Sequence, residues 1–238
     1  IVNMSQMFKD ASSFNQDIST WDVSSIINMD SMFDNANVLS EQNKCNIHTS
    51  FSMNENWPYD WSGFCSVSAF QPATKEELQT AVNLWVDDNA NALANYGEIN
   101  TWDVSMITDM SQLFFEKSNF NADISSWDVS NVISMSGMFR SASSFNQDLN
   151  TWDVSNVTSM NGMFFEASSF TGDLSSWDVS KVTNMRDMFM RANQFSADLS
   201  SWDVSQVVEM IQMFRDAPNF NADISNWNVS SATEIWSM

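Results

Sequence analysis

The residues of this chain best placed to do chemistry are aspartates that recur every 25 residues in its second half. One set follows a tryptophan in the motif Trp-Asp-Val-Ser, and the other precedes each tryptophan by four residues. The first set is Asp103, Asp128, Asp153, Asp178 and Asp203, and the second is Asp123, Asp148, Asp173, Asp198 and Asp223. Hard oxygen ligands in a repeated array suit calcium, so one interpretation is that these columns bind cations.

A second interpretation of the aspartate columns needs no ion. Parallel segments lie about 4.8 Å apart, and like charges at that distance repel by roughly 0.9 kcal/mol in water. Serine and threonine flank each aspartate, and their hydroxyls, together with backbone N–H groups in a turn, would offset this repulsion by hydrogen bonding. The columns also lack the Asp-x-Asp-x-Asp-Gly loop of a specific calcium site. Calcium therefore stays as an alternative, and no other cofactor is expected.

The elements that must position these aspartates belong to a 25-residue repeat, in which we number the tryptophan as position zero. Apolar residues at −3, 0, +2 and +5 predict a short β-strand. Those at +8, +11, +12, +15 and +18 predict one side of a short helix. The sequence thus predicts an α/β solenoid of leucine-rich-repeat-like coils with a parallel sheet on one face. Its core ladder would consist of Trp102, Trp127, Trp152, Trp177, Trp202 and Trp227.

The repeat pattern is interrupted between residues 34 and 98, which predicts a cap-to-cap junction between two repeat arrays. Cys45 and Cys65 lie in this stretch and predict one disulfide worth roughly 3 kcal/mol, with two free thiols as the alternative. A capping box begins at Thr74 and precedes apolar residues at helical spacing. We predict four segments: the end of a first array at 1–39, a C-terminal cap at 40–65, a helical N-terminal cap at 66–98 and a second array at 99–238.

One segment carries a resemblance to a known family. The sequence WDVSNVTSMNGMF at Trp152 to Phe164, followed by ASSFTGDLSSWDVS, resembles the repeat of the BspA-like leucine-rich-repeat surface proteins, also described as a 26-residue bacterial surface protein repeat. The resemblance covers roughly residues 1–39 and 99–238. It implies a secreted or surface-exposed protein that acts in adhesion, cell-surface structure or partner binding. It supplies no catalytic residues.

Composition restricts the class of function. A net charge of −21 disfavours nucleic acid and anionic membranes as partners. No apolar run is long enough to insert into a membrane. His48 is the only histidine, and no nucleophile, metalloprotease or phosphate-loop motif is present. Carboxylate pairs recur identically in every repeat, whereas a catalytic site is usually unique, so we do not expect an enzyme.

The resemblance implies an extracellular location, either secreted or at the cell surface. Asn3, Asn156 and Asn228 occupy sequons for N-glycosylation. Ile1 and Met238 both fall inside a repeat, which predicts a segment of a longer secreted chain whose copies continue or meet end to end.

We expect a structural or adhesive protein of an extracellular filament, fibre or surface coat. The alternative is a recognition module, calcium-dependent or not, that binds a glycan, mineral or receptor through its Ser/Thr-Asp-Ser face.

Overall fold

The computed structural model describes residues 2–66 and 69–237. The chain divides into two compact units, Ile1–Ala69 and Phe70–Met238, which we call unit 1 and unit 2. Each unit contains its own cluster of buried apolar residues. The sequence predicts that Ile1 and Met238 each fall inside a repeat, but both residues lie outside the described part of the structure.

Within the described residues, regular helices occur only in the part of the sequence between the two sets of repeats. Helix α1 spans Glu41–Phe51 in unit 1, and helices α2 (Lys75–Asp87) and α3 (Asn89–Tyr96) lie in unit 2. Two short 3₁₀ helices cover Ser62–Ser66 and Ile99–Thr101. None of the described helices is both long and apolar enough to cross a bilayer.

The predicted α/β solenoid is wrong. Throughout residues 2–66 and 69–237 there is no β-strand and no sheet, and the repeats contain no α-helix. Neighbouring repeats are instead joined by isolated parallel bridges at position +7, such as Ser134 with Ser159 and Ser159 with Asn184. The repeats are built from successive turns.

The helix of each repeat fails because two of its positions are left-handed. Residues at +10 and +14 have φ between 55° and 64° in unit 2, as in Gly162 at 58° and Glu166 at 56°. The full set is Gln112, Gly137, Gly162, Asp187, Gln212 and Ser237 at +10, and Glu116, Ser141, Glu166, Arg191 and Asp216 at +14. A right-handed helix cannot contain such residues. The third residue of a type II turn, by contrast, requires a positive φ.

The strand around each tryptophan fails because its amides close turns within the repeat. The amide of Trp152 donates to the carbonyl of Leu149 at 3.1 Å, and that of Val157 donates to Val154 at 2.9 Å. Strand pairing needs successive amides and carbonyls free for the neighbouring segment. Because these amides bond within their own repeat, too few backbone groups remain to pair with the next repeat, and no β-ladder extends beyond one bridge.

Past position +7 the amides alternate between their own turn and the following repeat. The amide of Met160 donates to Asn184 O at 2.9 Å and that of Glu166 donates to Met190 O at 2.8 Å. Between them the amide of Met163 closes a turn to Met160 O at 3.1 Å. Each repeat is therefore held in register with the next by backbone hydrogen bonds, although neither a strand nor a helix forms.

The core of unit 2 is a set of aligned aromatic columns. The six predicted tryptophans are all buried, between 3% and 8% exposed. The Trp152 indole Nε1 donates to Ile124 O at 3.1 Å, in the preceding repeat, and Trp177, Trp202 and Trp227 repeat this bond. The rings of Phe139 and Phe164 stack with centroids 5.5 Å apart. Burial and an indole hydrogen bond together fix how adjacent repeats align.

The helices of unit 2 adjoin its first repeat. Thr74 Oγ1 accepts from the Glu77 amide at 3.2 Å, so the predicted N-cap residue opens α2, while Glu77 Oε2 accepts from the Ala73 amide at 2.7 Å. Leu78, Ala81 and Val82 of α2 are fully buried in the core cluster. The predicted amphipathic face of this helix is thus the face that packs.

Unit 1 combines two repeat segments with α1 and an aromatic cluster. Ser40 caps α1 by accepting from the Asn43 amide at 3.2 Å. The rings of Trp57, Tyr59 and Trp61 all lie within 6.2 Å of the Phe33 ring. This cluster closes the apolar side of the repeat that contains Phe33.

Candidate functional site

The first aspartate column is a row of tight side-chain turns. Asp153 Oδ1 accepts from the Ser155 amide at 3.0 Å, two residues further on. The same bond, at 3.0 to 3.1 Å, occurs at Asp103, Asp128, Asp178 and Asp203. The hydroxyls of Ser105 and Ser130 add a second bond to Asp103 and Asp128, each at 2.6 Å. These contacts match the hydrogen-bonded interpretation of the column.

The second aspartate column forms the same kind of side-chain turn just before each tryptophan. Asp148 Oδ1 accepts from the Asn150 amide at 2.9 Å. Asp123, Asp173, Asp198 and Asp223 each accept at 2.9 Å from a serine amide two residues later. All five of these aspartates are exposed. Each repeat therefore presents two carboxylates, each fixed by its own turn.

Serine hydrogen bonds lower the pKa of six column aspartates, which are Asp103, Asp153, Asp178 and Asp203 in the first column and Asp198 and Asp223 in the second. Hydrogen bonds from Ser155 lower the pKa of Asp153, and the nearby Lys181 ammonium lowers it further. Ser180 and Lys181 lower the pKa of Asp178 in the same way, against an opposing effect of the Asp153 charge. The repulsion expected between adjacent carboxylates is thus present, but the serine bonds outweigh it.

No shared metal cage is formed by the described side chains. Within residues 2–66 and 69–237, no three His, Cys, Asp or Glu residues converge in a group that could hold a metal ion. Each aspartate is oriented by the serine or asparagine of its own repeat, and the exposed carboxylates form rows of separate groups.

The three sequons differ in how their asparagines are used. Asn228 stands at the position of the column aspartates and accepts from the Ser230 amide at 3.2 Å, so it preserves the turn without the charge. Asn156 Nδ2 donates to Ser130 O at 2.9 Å in the preceding repeat. Asn3 accepts from the Ser5 amide at 2.8 Å. All three side chains are exposed.

The two cysteines are joined. Cys45 lies on α1 and Cys65 in the 3₁₀ helix Ser62–Ser66, and a disulfide links them with their Cα atoms 4.8 Å apart. The bond lies entirely within unit 1 and ties α1 to the segment that follows the aromatic cluster.

Sequence reasoning missed an ion-pair row at position +14. Arg191 Nη1 lies 2.8 Å from Glu166 Oε1, and Arg191 Nε lies 3.6 Å from Asp216 Oδ2. The Arg191 hydrogen bond lowers the pKa of Glu166. These three residues are 25 positions apart, so their shared register could have revealed the pairing.

A second missed feature is an uncharged row at position +6. Every repeat with a described residue at this position carries an exposed β-branched side chain there, and Ile27 and Ile133 are 68% and 52% exposed. The row is Val2 and Ile27 in unit 1, and Thr108, Ile133, Thr158, Thr183, Val208 and Thr233 in unit 2. The signal is present in the sequence, but hydrophobic spacing alone does not indicate which of the adjacent apolar positions +5 and +6 faces solvent.

Comparison with known proteins identifies the repeat. No curated protein and no solved structure matches the chain. One family model matches residues 1–59, 83–191 and 171–238, which together cover most of the chain, and it matches more than once because the unit is repeated in tandem. This tandem-repeat chain therefore belongs to the family described as "Mycoplasma protein of unknown function, DUF285".

Proposed function

We propose that this protein is a structural and adhesive component of an extracellular filament, fibre or cell-surface coat. The observation that carries the proposal is the repeated surface of unit 2. Each interior repeat presents the same two turn-fixed aspartates, and backbone bonds such as Met160 N to Asn184 O hold successive repeats in one register. A surface of identical groups at fixed spacing suits a scaffold or a multivalent contact.

The charge supports an exposed role of this kind. With 30 acidic and 9 basic residues, the chain is kept soluble by its own charge. The Trp-Asp-Val-Ser resemblance to BspA-like surface proteins supports placement at a cell surface or outside the cell. We propose no catalytic activity, and we propose that copies join end to end or continue in a longer chain.

Electron microscopy of the purified chain tests the structural role. We expect fibres or ordered sheets at high protein concentration, with a mass per length that reflects stacked chains. Particles that stay monomeric at every concentration, as judged by sedimentation as well as by microscopy, would contradict the filament proposal.

A recognition module is the second candidate, and the exposed aspartate turns favour it. The carboxylates of Asp153 and Asp178 remain exposed after their serine bonds are made, so they could contact a glycan, a mineral or calcium. A ligand that binds only the folded chain raises its Tm. We expect calcium to raise Tm more than sodium at matched ionic strength if this candidate is right.

The matched variant for that titration is Asp153→Asn with Asp178→Asn. Asn228 already shows that asparagine keeps the turn, so the variant removes charge without removing the hydrogen bond. A calcium effect that is equal in the wild type and in this variant would exclude Asp153 and Asp178 as calcium ligands.

A further inference from the structure

The β-branched row at position +6 is a rigid, uncharged ridge along unit 2. Its backbone is tied from repeat to repeat: the Ile133 amide donates to Thr108 O at 2.7 Å and the Thr158 amide donates to Ile133 O at 2.8 Å. The Thr183 amide donates to Thr158 O at 2.9 Å in the same way. β-branched side chains have few rotamers, so little conformational entropy would be lost if the ridge were covered.

A shallow uncharged groove runs beside the ridge. It is lined by Ser105, Met106, Thr108, Asn131, Ile133, Asn156 and Thr158. Met106 is 63% exposed. The ridge and the groove together form a strip without carboxylates on a chain with a net charge of −21. The exposed Lys181 ammonium lies at its edge and donates to Asn156 Oδ1 at 2.7 Å.

Several polar groups of this strip already have partners inside the chain. Asn131 Nδ2 donates to Ser105 O at 3.0 Å, and Thr158 Oγ1 donates to Ile133 O at 3.2 Å. Thr183 Oγ1 makes the equivalent bond to Thr158 O at 3.2 Å. Covering the strip would therefore leave few hydrogen-bond donors without a partner. This favours a protein contact that excludes water over a hydrogen-bonded ligand such as a glycan.

The order of residues along the ridge is symmetric. From Thr108 to Thr233 the side chains are Thr, Ile, Thr, Thr, Val and Thr, which reads the same in both directions if Ile and Val are taken as equivalent. A two-fold axis between Thr158 and Thr183 would therefore set Ile133 of one copy against Val208 of the other. An interface with this symmetry uses one self-complementary surface on both subunits.

We infer that this ridge and groove form a lateral interface between two antiparallel copies of the chain. The inference deepens the structural role proposed above and rests on it. Two copies repel each other over their aspartate columns, so the strip without carboxylates is where they can approach closely. Screening by salt weakens that repulsion, and the association therefore strengthens as sodium chloride increases.

Sedimentation of the double variant Ile133→Lys with Val208→Lys tests the interface. We expect wild-type dimers and, in the variant, a dimer dissociation constant that is higher by roughly tenfold or more. The matched control is Ser144→Lys with Asn219→Lys, which adds the same charge to exposed positions in the same two repeats. Equal weakening in the control, or none in the ridge variant, would overturn the inference.

Cysteine cross-linking tests the register. Ile133→Cys and Val208→Cys, made as separate variants with the native disulfide intact, should cross-link efficiently when mixed and poorly when each is oxidised alone. Efficient cross-linking of Ile133→Cys with itself would overturn the antiparallel arrangement.

The two proposals can fail separately. If fibres form equally well from the wild type and from the ridge variant, the structural role stands and the lateral interface is wrong. If the wild type neither dimerises nor forms fibres, both are wrong.

Discussion

The first tryptophans at position zero of a repeat in the two units, Trp21 and Trp102, lie in very different surroundings. Trp102 in unit 2 is 3% exposed, whereas Trp21 in unit 1 is 40% exposed. Phe70 and Trp85 pack edge-on against the Trp102 ring at 5.3 and 6.0 Å, and its indole donates to Gly97 O at 3.4 Å. The cap segment thus provides for Trp102 the cover that a preceding repeat provides for Trp152. A tryptophan at position zero is buried by its neighbour and not by its own repeat.

The two units also hold their repeats in different ways. Unit 1 has the disulfide Cys45–Cys65 and an aromatic cluster around Phe33, and its repeat segments are few. Unit 2 has no cysteine and depends on stacked repeats with aligned rings and indole bonds. A short array gains from a covalent link because it buries little apolar surface, and a longer array gains from each added repeat.

The largest expected effect comes from the tryptophan columns. Trp152→Ala should destabilise unit 2 by about 3 to 5 kcal/mol, because a buried ring and its indole bond are both lost. Trp21→Ala should cost clearly less, because that ring is already half exposed. Hydrogen exchange of the two variants provides the measurement, with fastest exchange in the repeats adjoining residue 152. Equal costs would refute the role assigned to the neighbouring repeat.

The disulfide should matter to unit 1 alone. Replacing both Cys45 and Cys65 by serine should lower the stability of unit 1 by about 3 kcal/mol on the chain-entropy model. The exchange protection of unit 2 serves as the internal control and should not change. Loss of protection in the interior repeats of unit 2 would show that the two units do not unfold independently.

Tyr59 offers a pH test that is specific to unit 1. Its hydroxyl donates to Asp34 Oδ1 at 3.1 Å and accepts from the Phe33 amide at 2.8 Å. Burial raises the pKa of Tyr59 from 10.0 to about 12. Because the pKa is raised on folding, the contribution of the neutral Tyr59 hydroxyl to the free energy of unfolding is complete below pH 10. It is lost as the pH rises towards 12.

Tyr59→Phe is the matching variant, and it should cost about 1 to 2 kcal/mol at neutral pH because the Phe33 amide loses its acceptor. Its alkaline unfolding curve, followed by near-ultraviolet circular dichroism, should lack the loss of stability between pH 10 and 12 that is due to Tyr59. If the alkaline unfolding curve of Tyr59→Phe matched that of the wild type, the loss of stability between pH 10 and 12 would be due to other groups.

The left-handed turn positions should show a smaller effect in the repeats. Gly162→Ala places a Cβ at φ 58° and should destabilise unit 2 by about 1 kcal/mol. The added Cβ meets no atom closer than 3.7 Å, so the cost comes from the backbone. Gln212→Gly at the equivalent position should stabilise or be neutral in thermal unfolding. If Gly162→Ala stabilised unit 2 and Gln212→Gly destabilised it, the left-handed turns would not be the conformation in solution.

The smallest effect is expected at the aspartate turns. Asp153→Ala should cost a few tenths to about 0.5 kcal/mol, because the exposed turn loses one hydrogen bond. Asp153→Asn should cost less, because Asn228 makes the same bond. The pKa of Asp153 is lowered below 3.8, so its contribution is present above about pH 4 and is lost as the pH falls through its folded value. Acid titration of the Asp153→Asn protein should lack that component.

The sequence predicted some features well because they depend on the repeat itself. The period placed the tryptophans at buried positions and set Asp153 at an exposed one. Thr74 and Glu77 predicted the start of α2 because a capping box is a local hydrogen-bond pattern. The exposed row at +6 was missed, although its β-branched residues were visible, because hydrophobic spacing alone does not say which side of the chain faces solvent.

What the sequence by itself determined is the register: which residues of successive repeats lie beside one another, since a 25-residue period fixes this however the backbone is folded. What only the tertiary structure decided is the backbone between them. Apolar spacing fits a strand, a helix or a series of turns equally well over so few residues. The amide of Met160 or Trp152 bonds wherever an acceptor lies nearest, and that acceptor is set by the packing of the adjacent repeat. For this reason a predicted strand and helix became turns while the predicted core kept its place.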